Sequence, residues 1–113
     1  MTPSERDAAY LWDMREAARY IVGFISGETH LTYLRDKKLQ SAVERQLEII
    51  GEAARYVSPE FRQAHPEIPW RSIVGLRNIL AHEYGEVKID RVWLVAASNI
   101  PELIRFLEPL LQS

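Results

Sequence analysis

Residues 70–87 read WRSIVGLRNILAHEYGEV, and this stretch decides the fold of the chain. Its apolar residues recur at three- and four-residue intervals, the spacing that places side chains on one face of an α-helix. Trp70 follows a proline, which suits a first helical turn, and Gly85 is well placed to end the helix. The stretch therefore predicts a main helix, third in chain order, with its body from Trp70 to about Tyr84.

Four polar side chains interrupt this apolar pattern: Arg77, Asn78, His82 and Tyr84. Polar groups beside a core cost stability unless they are paired or have a chemical role. Asn78 and His82 share a helix face, so the amide can orient the imidazole. Arg77 and His82 point about 140° apart on a straight helix. They can meet on one phosphate only if the helix end is distorted near Gly85 or if two subunits pair their motifs, and this geometry favours a dimeric site.

The residue types in this cluster suit a reaction on a phosphodiester. A histidine such as His82 can give or take a proton near neutral pH, and Arg77 offers a planar, permanently charged fork that fits phosphate oxygens. Together they can promote attack of a ribose 2′-hydroxyl on its own phosphate without a metal. Because DNA lacks that hydroxyl, such a reaction would select RNA.

Each of these residues also has a simpler interpretation. His82 could be a hydrogen-bonded core residue, and Tyr84 could be a core aromatic. Arg77 could form an ion pair with Glu83 or with a carboxylate on the second helix. Composition and spacing alone therefore predict only a helical bundle with a candidate phosphate site.

Length and composition limit the class of protein. The 113 residues match one domain, residues 1–113, and 47% hydrophobic with 27% charged residues is ordinary for a globular protein. The chain has no cysteine, which excludes disulfides and thiolate nucleophiles and suits a reducing cytoplasm. Its three histidines are scattered without ligand spacing, so we expect no metal site and no cofactor. Since no apolar run approaches the roughly 20 residues that span a bilayer and no signal peptide is evident, we expect a cytoplasmic protein without a membrane partner.

The formal net charge of −2 gives no general attraction for nucleic acid, so an RNA partner would need a local basic patch. The candidate cations for that patch are Arg35, Lys37, Lys38, Arg45, Arg71, Arg77, Lys88 and Arg91. A solvated surface of mixed charge is the simpler interpretation of any single one of them.

Two long helices precede the quoted stretch. Ser4 starts the first, and Ser26-Gly27 closes it. Asp36 can cap the second, which extends from about Lys37 to Val57, and Gly51 in its middle predicts close packing of another helix. We expect a solvated, salt-bridged face formed by Glu44, Arg45, Glu48, Glu52 and Arg55.

The remaining segments complete an all-α architecture. Ser58 and Pro59 start a short connecting helix, and Asp90 can cap a last helix, which Pro101 should kink near Asn99. No strand alternation and no internal repeat is evident. We predict an antiparallel helical bundle of four main helices plus short connecting helices. Its wide apolar faces favour a helix-mediated homodimer.

Residues 77–84, RNILAHEY, resemble the Arg-x4-6-His motif of the HEPN superfamily and, more narrowly, the HepT-like toxin family. The likeness extends to the second-helix run AVERQLEIIGEAA at 42–54. It also includes PEIPW at 66–70, followed by IVGL at 73–76. The three blocks fall in the family's order and spacing and cover nearly the whole chain, so the combination is specific.

This resemblance implies a HEPN-like bundle that forms a homodimer, with Arg77 and His82 of both subunits lining a shared cleft. It implies a metal-independent endoribonuclease that cleaves tRNA or mRNA as the toxin of a type II HepT/MNT toxin–antitoxin system. Asn78 matches the polar residue that follows the motif arginine and would orient or bind the substrate. Tyr84 matches the tyrosine to which the cognate MNT-type nucleotidyltransferase antitoxin attaches AMP. Such a group adds phosphate charge and bulk two residues from His82 and would switch the site off.

Two other functions remain open beside this one. The chain could be a non-catalytic helical binding module that docks a nucleotidyltransferase. It could also be a nucleotide-binding subunit in which Arg77 and His82 hold ATP for that partner.

Overall fold

The structure is a computed structural model, which describes residues 2–112. Its helices are α1 (Glu5–Ile25), α2 (His30–Leu34), α3 (Lys37–Tyr56), α4 (Pro59–Ala64), α5 (Trp70–Val74), α6 (Leu76–His82), α7 (Gly85–Leu94) and α8 (Ile100–Leu111), and a π-helical segment, Val95–Asn99, joins the last two. The described residues contain no strand, so the predicted all-α class is confirmed.

The helices begin where the sequence provides caps. Ser4, Asp36 and Ser58 each accept a backbone N–H from three residues ahead, at 3.1, 2.9 and 3.2 Å. Caps of this kind contribute about 1 kcal/mol each. Gly27, with a φ of +80°, turns the chain after α1. The predicted starts of these three helices are confirmed.

The bundle is antiparallel around α1 and α3, which pack more extensively on each other than any other pair of helices. Asp7, at the start of α1, is only 4% exposed, and its carboxylate accepts hydrogen bonds from Ser58 N at 2.9 Å and Ser58 Oγ at 2.6 Å. Since Ser58 follows the end of α3, the two helices run in opposite directions. At the other side of α1, Arg19 donates to Glu108 of α8 at 2.6 Å, and this hydrogen bond raises the pKa of Arg19.

Gly51 of α3 allows α5, the first part of residues 70–87, to approach closely. A Cβ on Gly51 would lie 3.3 Å from the backbone oxygen of Ile73 in α5, so the missing side chain makes the approach feasible. The prediction of close helix packing at this glycine is confirmed. The largest fully buried side chains around this contact and through the core belong to Tyr33, Phe61, Leu11, Met14, Ile21, Leu47, Ile50, Ile68 and Leu107.

The prediction of one continuous helix from Trp70 to Tyr84 was wrong. The helix divides at Gly75 into α5 and α6, and α6 ends at His82. The two residues after His82 have extended backbone, with ψ of 151° and 159°. Gly85 does not end this helix, because its φ of +59° serves the change of direction that starts α7.

The last helix also starts earlier than predicted. Since α7 begins at Gly85, Asp90 lies inside it and does not cap it; the Asp90 carboxylate lies 2.6 Å from His30 Nε2 of α2 instead. The predicted disturbance near Asn99 is confirmed as the π-helical segment. It ends two residues before Pro101, which has no N–H to continue regular helical hydrogen bonding.

Candidate active site

The four predicted site residues lie at the surface. Arg77, Asn78 and His82 are carried by α6, and Tyr84 lies on the extended segment between α6 and α7. All four are exposed, and Tyr84 is 78% exposed. The interpretations of His82 and Tyr84 as core residues were therefore wrong. The apolar side of α6 faces inward, with Leu76 7% exposed, and this amphipathic arrangement turns the polar residues outward.

Arg77 points toward α3. Its Nη1 lies 3.8 Å from Glu52 Oε2 of α3. This is the ion pair with a carboxylate on the second predicted helix that the sequence left open as an alternative. Glu83, the other candidate partner, lies 3.1 Å from Arg91 Nη1 instead. Because Arg77 and Glu52 are both about half exposed and their charged atoms are far apart for an ion pair, the pair contributes little stability. Glu52 therefore orients the guanidinium but leaves it free to bind an anion.

Arg77 and His82 do not converge within one chain. Both lie on α6, which has no break between them, so their side chains point about 140° apart. The distortion near Gly85 begins only after His82 and cannot bring the two together.

Asn78 and His82 share a face of α6, but no hydrogen bond joins their side chains. Within residues 2–112, neither side chain has a hydrogen-bond or ion-pair partner. The imidazole and the amide are both free to bind a ligand. The orientation of His82 by Asn78 thus remains a prediction for the occupied site.

A groove of about 470 Å³ lies beside Arg77, between α1 and α3. At one end the rings of Tyr10 and Tyr56 stack with their centroids 5.7 Å apart. Arg6 lies over the first ring at 5.9 Å, and Arg55 over the second at 5.6 Å. The groove could hold a flat ring against the tyrosines. Its charged lining residues are Asp13, Arg45, Glu48, Glu52 and Arg77.

The sequence did not reveal this groove. Glu52 was expected on a solvated face, and nothing in the local pattern links Tyr10 to Tyr56. Their pairing follows from the antiparallel packing of α1 on α3, which becomes visible only in three dimensions.

The segment that carries Tyr84 is followed by a helix anchored at two points. Lys88 Nζ of α7 lies 2.9 Å from Glu44 Oε1 of α3. The His30–Asp90 pair holds α2 against α7, and the imidazole stacks on Trp93 with 6.3 Å between ring centroids. These contacts fix the start of α7 and with it the direction in which the exposed segment leaves α6.

The eight predicted cations do not form one basic patch. Four have a carboxylate partner: Arg45 with Glu48 at 3.7 Å, Arg77 with Glu52 at 3.8 Å, Lys88 with Glu44 at 2.9 Å and Arg91 with Glu83 at 3.1 Å. The other four have no ion pair within the described part of the chain: Arg35, Lys37, Lys38 and Arg71. The four cations that have carboxylate partners are therefore part of a mixed-charge surface.

The described residues contain no group of three or more histidine, aspartate or glutamate side chains placed to hold a metal ion. Across residues 2–112, no helix combines the length and apolar character that a bilayer crossing requires.

Fold and surface together define an all-α domain that presents an arginine and a histidine, five residues apart, on one exposed helix. Comparison with known proteins then gives the family. Residues 14–110 match the family model described as ribonuclease HepT-like. The chain therefore belongs to the ribonuclease HepT-like family, and the predicted family, within the HEPN superfamily, is confirmed.

Several curated relatives match over almost their whole length. A protein of Methanocaldococcus jannaschii, provisionally named an RNase, is 37% identical over 106 residues, covering 93% of this chain and 97% of the relative. A second protein of that organism, also provisionally named an RNase, is 32% identical over 110 residues, covering 97% and 91%. A Thermococcus cleftensis protein, provisionally named ribonuclease HepT, is 41% identical over 103 residues, covering 91% and 92%. No solved structure matches the chain significantly.

Proposed function

We propose that this chain is a metal-independent endoribonuclease that cleaves tRNA or mRNA in the cytoplasm, as the toxin of a type II HepT/MNT toxin–antitoxin system. The observation that carries the proposal is the exposure of Arg77 and His82 on one helix, with the imidazole unpaired within residues 2–112. A guanidinium and a free imidazole are the groups that 2′-hydroxyl attack requires. The family and the names of its members agree with this chemistry.

The reaction follows from the two side chains. Neutral His82 accepts the proton of a ribose 2′-hydroxyl, and that oxygen forms a bond to the neighbouring phosphorus. The bond from phosphorus to the 5′-oxygen breaks, and this leaving oxygen takes a proton from the His82 imidazolium that the first proton transfer formed. Arg77 stabilises the negative charge that builds on the non-bridging oxygens. The products are a 2′,3′-cyclic phosphate and a 5′-hydroxyl.

The proposed active form is a homodimer. Since Arg77 and His82 point about 140° apart on α6, one phosphate would contact Arg77 of one subunit and His82 of the other. A two-fold arrangement supplies two such sites. Asn78, on the same face as His82, would bind the substrate or orient the imidazole once the cleft forms.

Tyr84 is the proposed acceptor of AMP. Its exposure of 78% and its extended backbone leave the phenolic oxygen accessible to a modifying enzyme. That oxygen would attack the α-phosphorus of ATP in the antitoxin's active site, form a phosphodiester and release pyrophosphate. The attached group adds a negative charge and bulk two residues from His82, so it would repel RNA and block the site.

Single substitutions test the catalytic assignment. We expect Arg77→Ala and His82→Ala each to lower the cleavage rate of a labelled RNA in EDTA by at least about 100-fold, since each removes a group that acts on the transition state. Arg105→Ala, at an exposed position on α8, is the matched control. The helical circular dichroism of every variant should match that of the wild type. Cleavage by both site variants at the wild-type rate would contradict the proposal.

The groove beside Arg77 favours a second candidate, a nucleotide-binding subunit that holds ATP for its partner. Its tyrosines could stack an adenine ring and Arg77 could contact a phosphate. In that case Tyr56→Ala would abolish ATP binding, and the wild type would not cleave RNA. A chain that only docks the nucleotidyltransferase would form the complex with neither activity.

A further inference from the structure

A second groove lies between α4 and α5, near the start of the stretch 70–87. It has a volume of about 490 Å³ and is called the α4–α5 groove here. Its lining residues are Pro59, Arg62, Gln63, Trp70, Arg71 and Val74. Two of these are arginines and none is a carboxylate, which distinguishes it from the groove beside Arg77.

The two arginines of the α4–α5 groove are free to bind an anion. Neither Arg62 nor Arg71 forms an ion pair within residues 2–112, and the buried Arg62 Nε has no hydrogen-bond partner there. Between them Trp70 forms a fixed floor, because it is 8% exposed and its Nε1 donates to His65 O at 2.9 Å. An unpaired guanidinium in a rigid concave surface suits a phosphate.

The α4–α5 groove continues the face of α6 that carries the imidazole. Arg71 lies in α5, and Asn78 and His82 lie seven and eleven residues further along the chain in α6, so on a straight helix all three would fall within about 40° of one line. Gly75, between α5 and α6, keeps right-handed helical backbone angles, with φ of −69° and ψ of −10°. The path from His82 to Arg71 along the helix axis is about 16 Å.

We propose that the α4–α5 groove binds backbone phosphates of the RNA strand a few nucleotides from the cleaved bond, through Arg62 and Arg71. This inference rests on the proposed ribonuclease function and adds the direction in which the strand leaves the site. The other exit, along α1 and α3, has a net negative lining, because its arginines Arg45 and Arg77 are outnumbered by three carboxylates: Asp13, Glu48 and Glu52. They repel a chain of phosphates, so the strand follows α5.

Phosphate contacts of this kind carry no sequence information, and their signature is salt dependence. The test measures binding of a fluorescein-labelled 15-nucleotide single-stranded RNA to the His82→Ala chain, which is used so that the RNA stays intact. The salt concentration is varied from 50 to 200 mM. The same titration is made with Arg62→Gln and Arg71→Gln added together, and with Arg105→Gln added as the matched control, since Arg105 is exposed and has no ion pair within the described residues.

The double variant is expected to bind about 10- to 30-fold more weakly at 0.1 M salt, with a log–log salt slope shallower by about 1.4, or 0.7 for each lost contact. The Arg105→Gln control is expected to leave slope and affinity unchanged. If the double variant loses thermal stability, Arg71→Gln alone, at an exposed position, should reduce the slope by about 0.7.

Three outcomes would overturn the inference. An unchanged slope in the double variant, with the parent chain binding RNA, overturns the α4–α5 groove and leaves the proposed function intact. An equal loss with Arg105→Gln shows a general charge effect and overturns the groove as well. Failure of the His82→Ala chain to bind RNA, together with no cleavage by the wild type, overturns both proposals.

Discussion

At the scale of single residues, exposure separates the side chains that stabilise the fold from those that are free to act. Asp7 is buried and both of its carboxylate oxygens accept hydrogen bonds, so it holds α1 to the end of α3. Tyr84 is exposed, and within residues 2–112 its hydroxyl forms no hydrogen bond of this kind. A large exposed aromatic on an extended segment is therefore available for modification.

Tyr84→Phe should remove the AMP acceptor. After incubation of the chain with its partner nucleotidyltransferase and ATP, we expect added AMP mass on the Tyr84 peptide of the wild type and none in the variant. Tyr20→Phe is the matched control, because Tyr20 is 59% exposed on α1, and it should still gain the mass at Tyr84. AMP found on the Tyr84→Phe chain at another residue would contradict the assignment.

Tyr33→Phe should stabilise the fold. Tyr33 is fully buried, and its hydroxyl has no hydrogen-bond partner within residues 2–112, so removing the oxygen relieves a desolvation cost of about 1 kcal/mol. Burial, with the nearby Glu44 carboxylate, also raises the pKa of Tyr33 above its ordinary value of 10.0. The unfolded chain therefore loses this proton first, and wild-type stability falls as the pH rises above about 10.

The measurement for Tyr33 is urea unfolding of wild type and variant from pH 7 to 11. The advantage of Tyr33→Phe should be present at pH 7 and grow above pH 10. A variant less stable than the wild type at pH 7 would show that the hydroxyl has a hydrogen-bond partner in solution.

At the scale of elements, glycines occur at helix positions with different backbone requirements. Gly85 starts α7 with a φ of +59°, which a β-carbon disfavours. Apart from its two chain neighbours, nothing in residues 2–112 lies within 4 Å of the position that a Cβ would take. Gly23 in α1 also has open space around it, but no positive φ. The two positions therefore differ in backbone conformation and not in the space available for a Cβ.

Alanine at these two glycines should have opposite effects on stability. Gly85→Ala should lower the free energy of unfolding by about 1 kcal/mol or more, because the left-handed conformation is strained for alanine. Gly23→Ala should raise it by about 0.5–1 kcal/mol, because alanine has the better helix propensity. Chemical denaturation measures both, and a stabilising Gly85→Ala would contradict the positive φ.

The sequence predicted the elements that depend on local chemistry. The caps at Ser4, Asp36 and Ser58 and the disturbance before Pro101 each depend on residues within one turn of the helix. The division at Gly75 depends on how α5 and α6 pack on α3, and no local signal distinguishes it from a helical glycine. The end of α6 at His82 was missed for a related reason. Gly85 correctly indicated a change of direction, but whether it ends one helix or starts the next depends on the contacts of α7 with α2 and α3.

The residues of the candidate site could be predicted from the sequence, but their exposure and their neighbours could not. The motif spacing in 77–84 placed Arg77 and His82 on one helix and indicated that they diverge. Their exposure, and the Glu52 that lies beside Arg77, required the tertiary structure. The α4–α5 groove was also missed, because Arg62 and Arg71 come together only when the connector folds back on itself.

At the scale of the whole molecule, a chain with a net charge of −2 has to localise its positive charge to bind RNA. Half of the eight predicted cations are paired with carboxylates. Arg71 belongs to the unpaired half and lines the α4–α5 groove together with Arg62, which was not among the eight. Because Arg77 and His82 diverge on α6, one subunit alone does not bring both side chains to one phosphate. The proposed homodimer would join the Arg77 of one subunit to the His82 of the other.

Complementation between two inactive chains tests this account most directly. In a mixed dimer of Arg77→Ala and His82→Ala chains, one of the two composite sites keeps both an arginine and a histidine. With random mixing, half of the dimers are mixed, so about a quarter of all sites should be intact. We predict that unfolding and refolding the two variants together restores about a quarter of wild-type RNA cleavage, whereas each variant alone stays inactive. Activity of the mixture no higher than that of either variant alone would contradict a site shared between subunits.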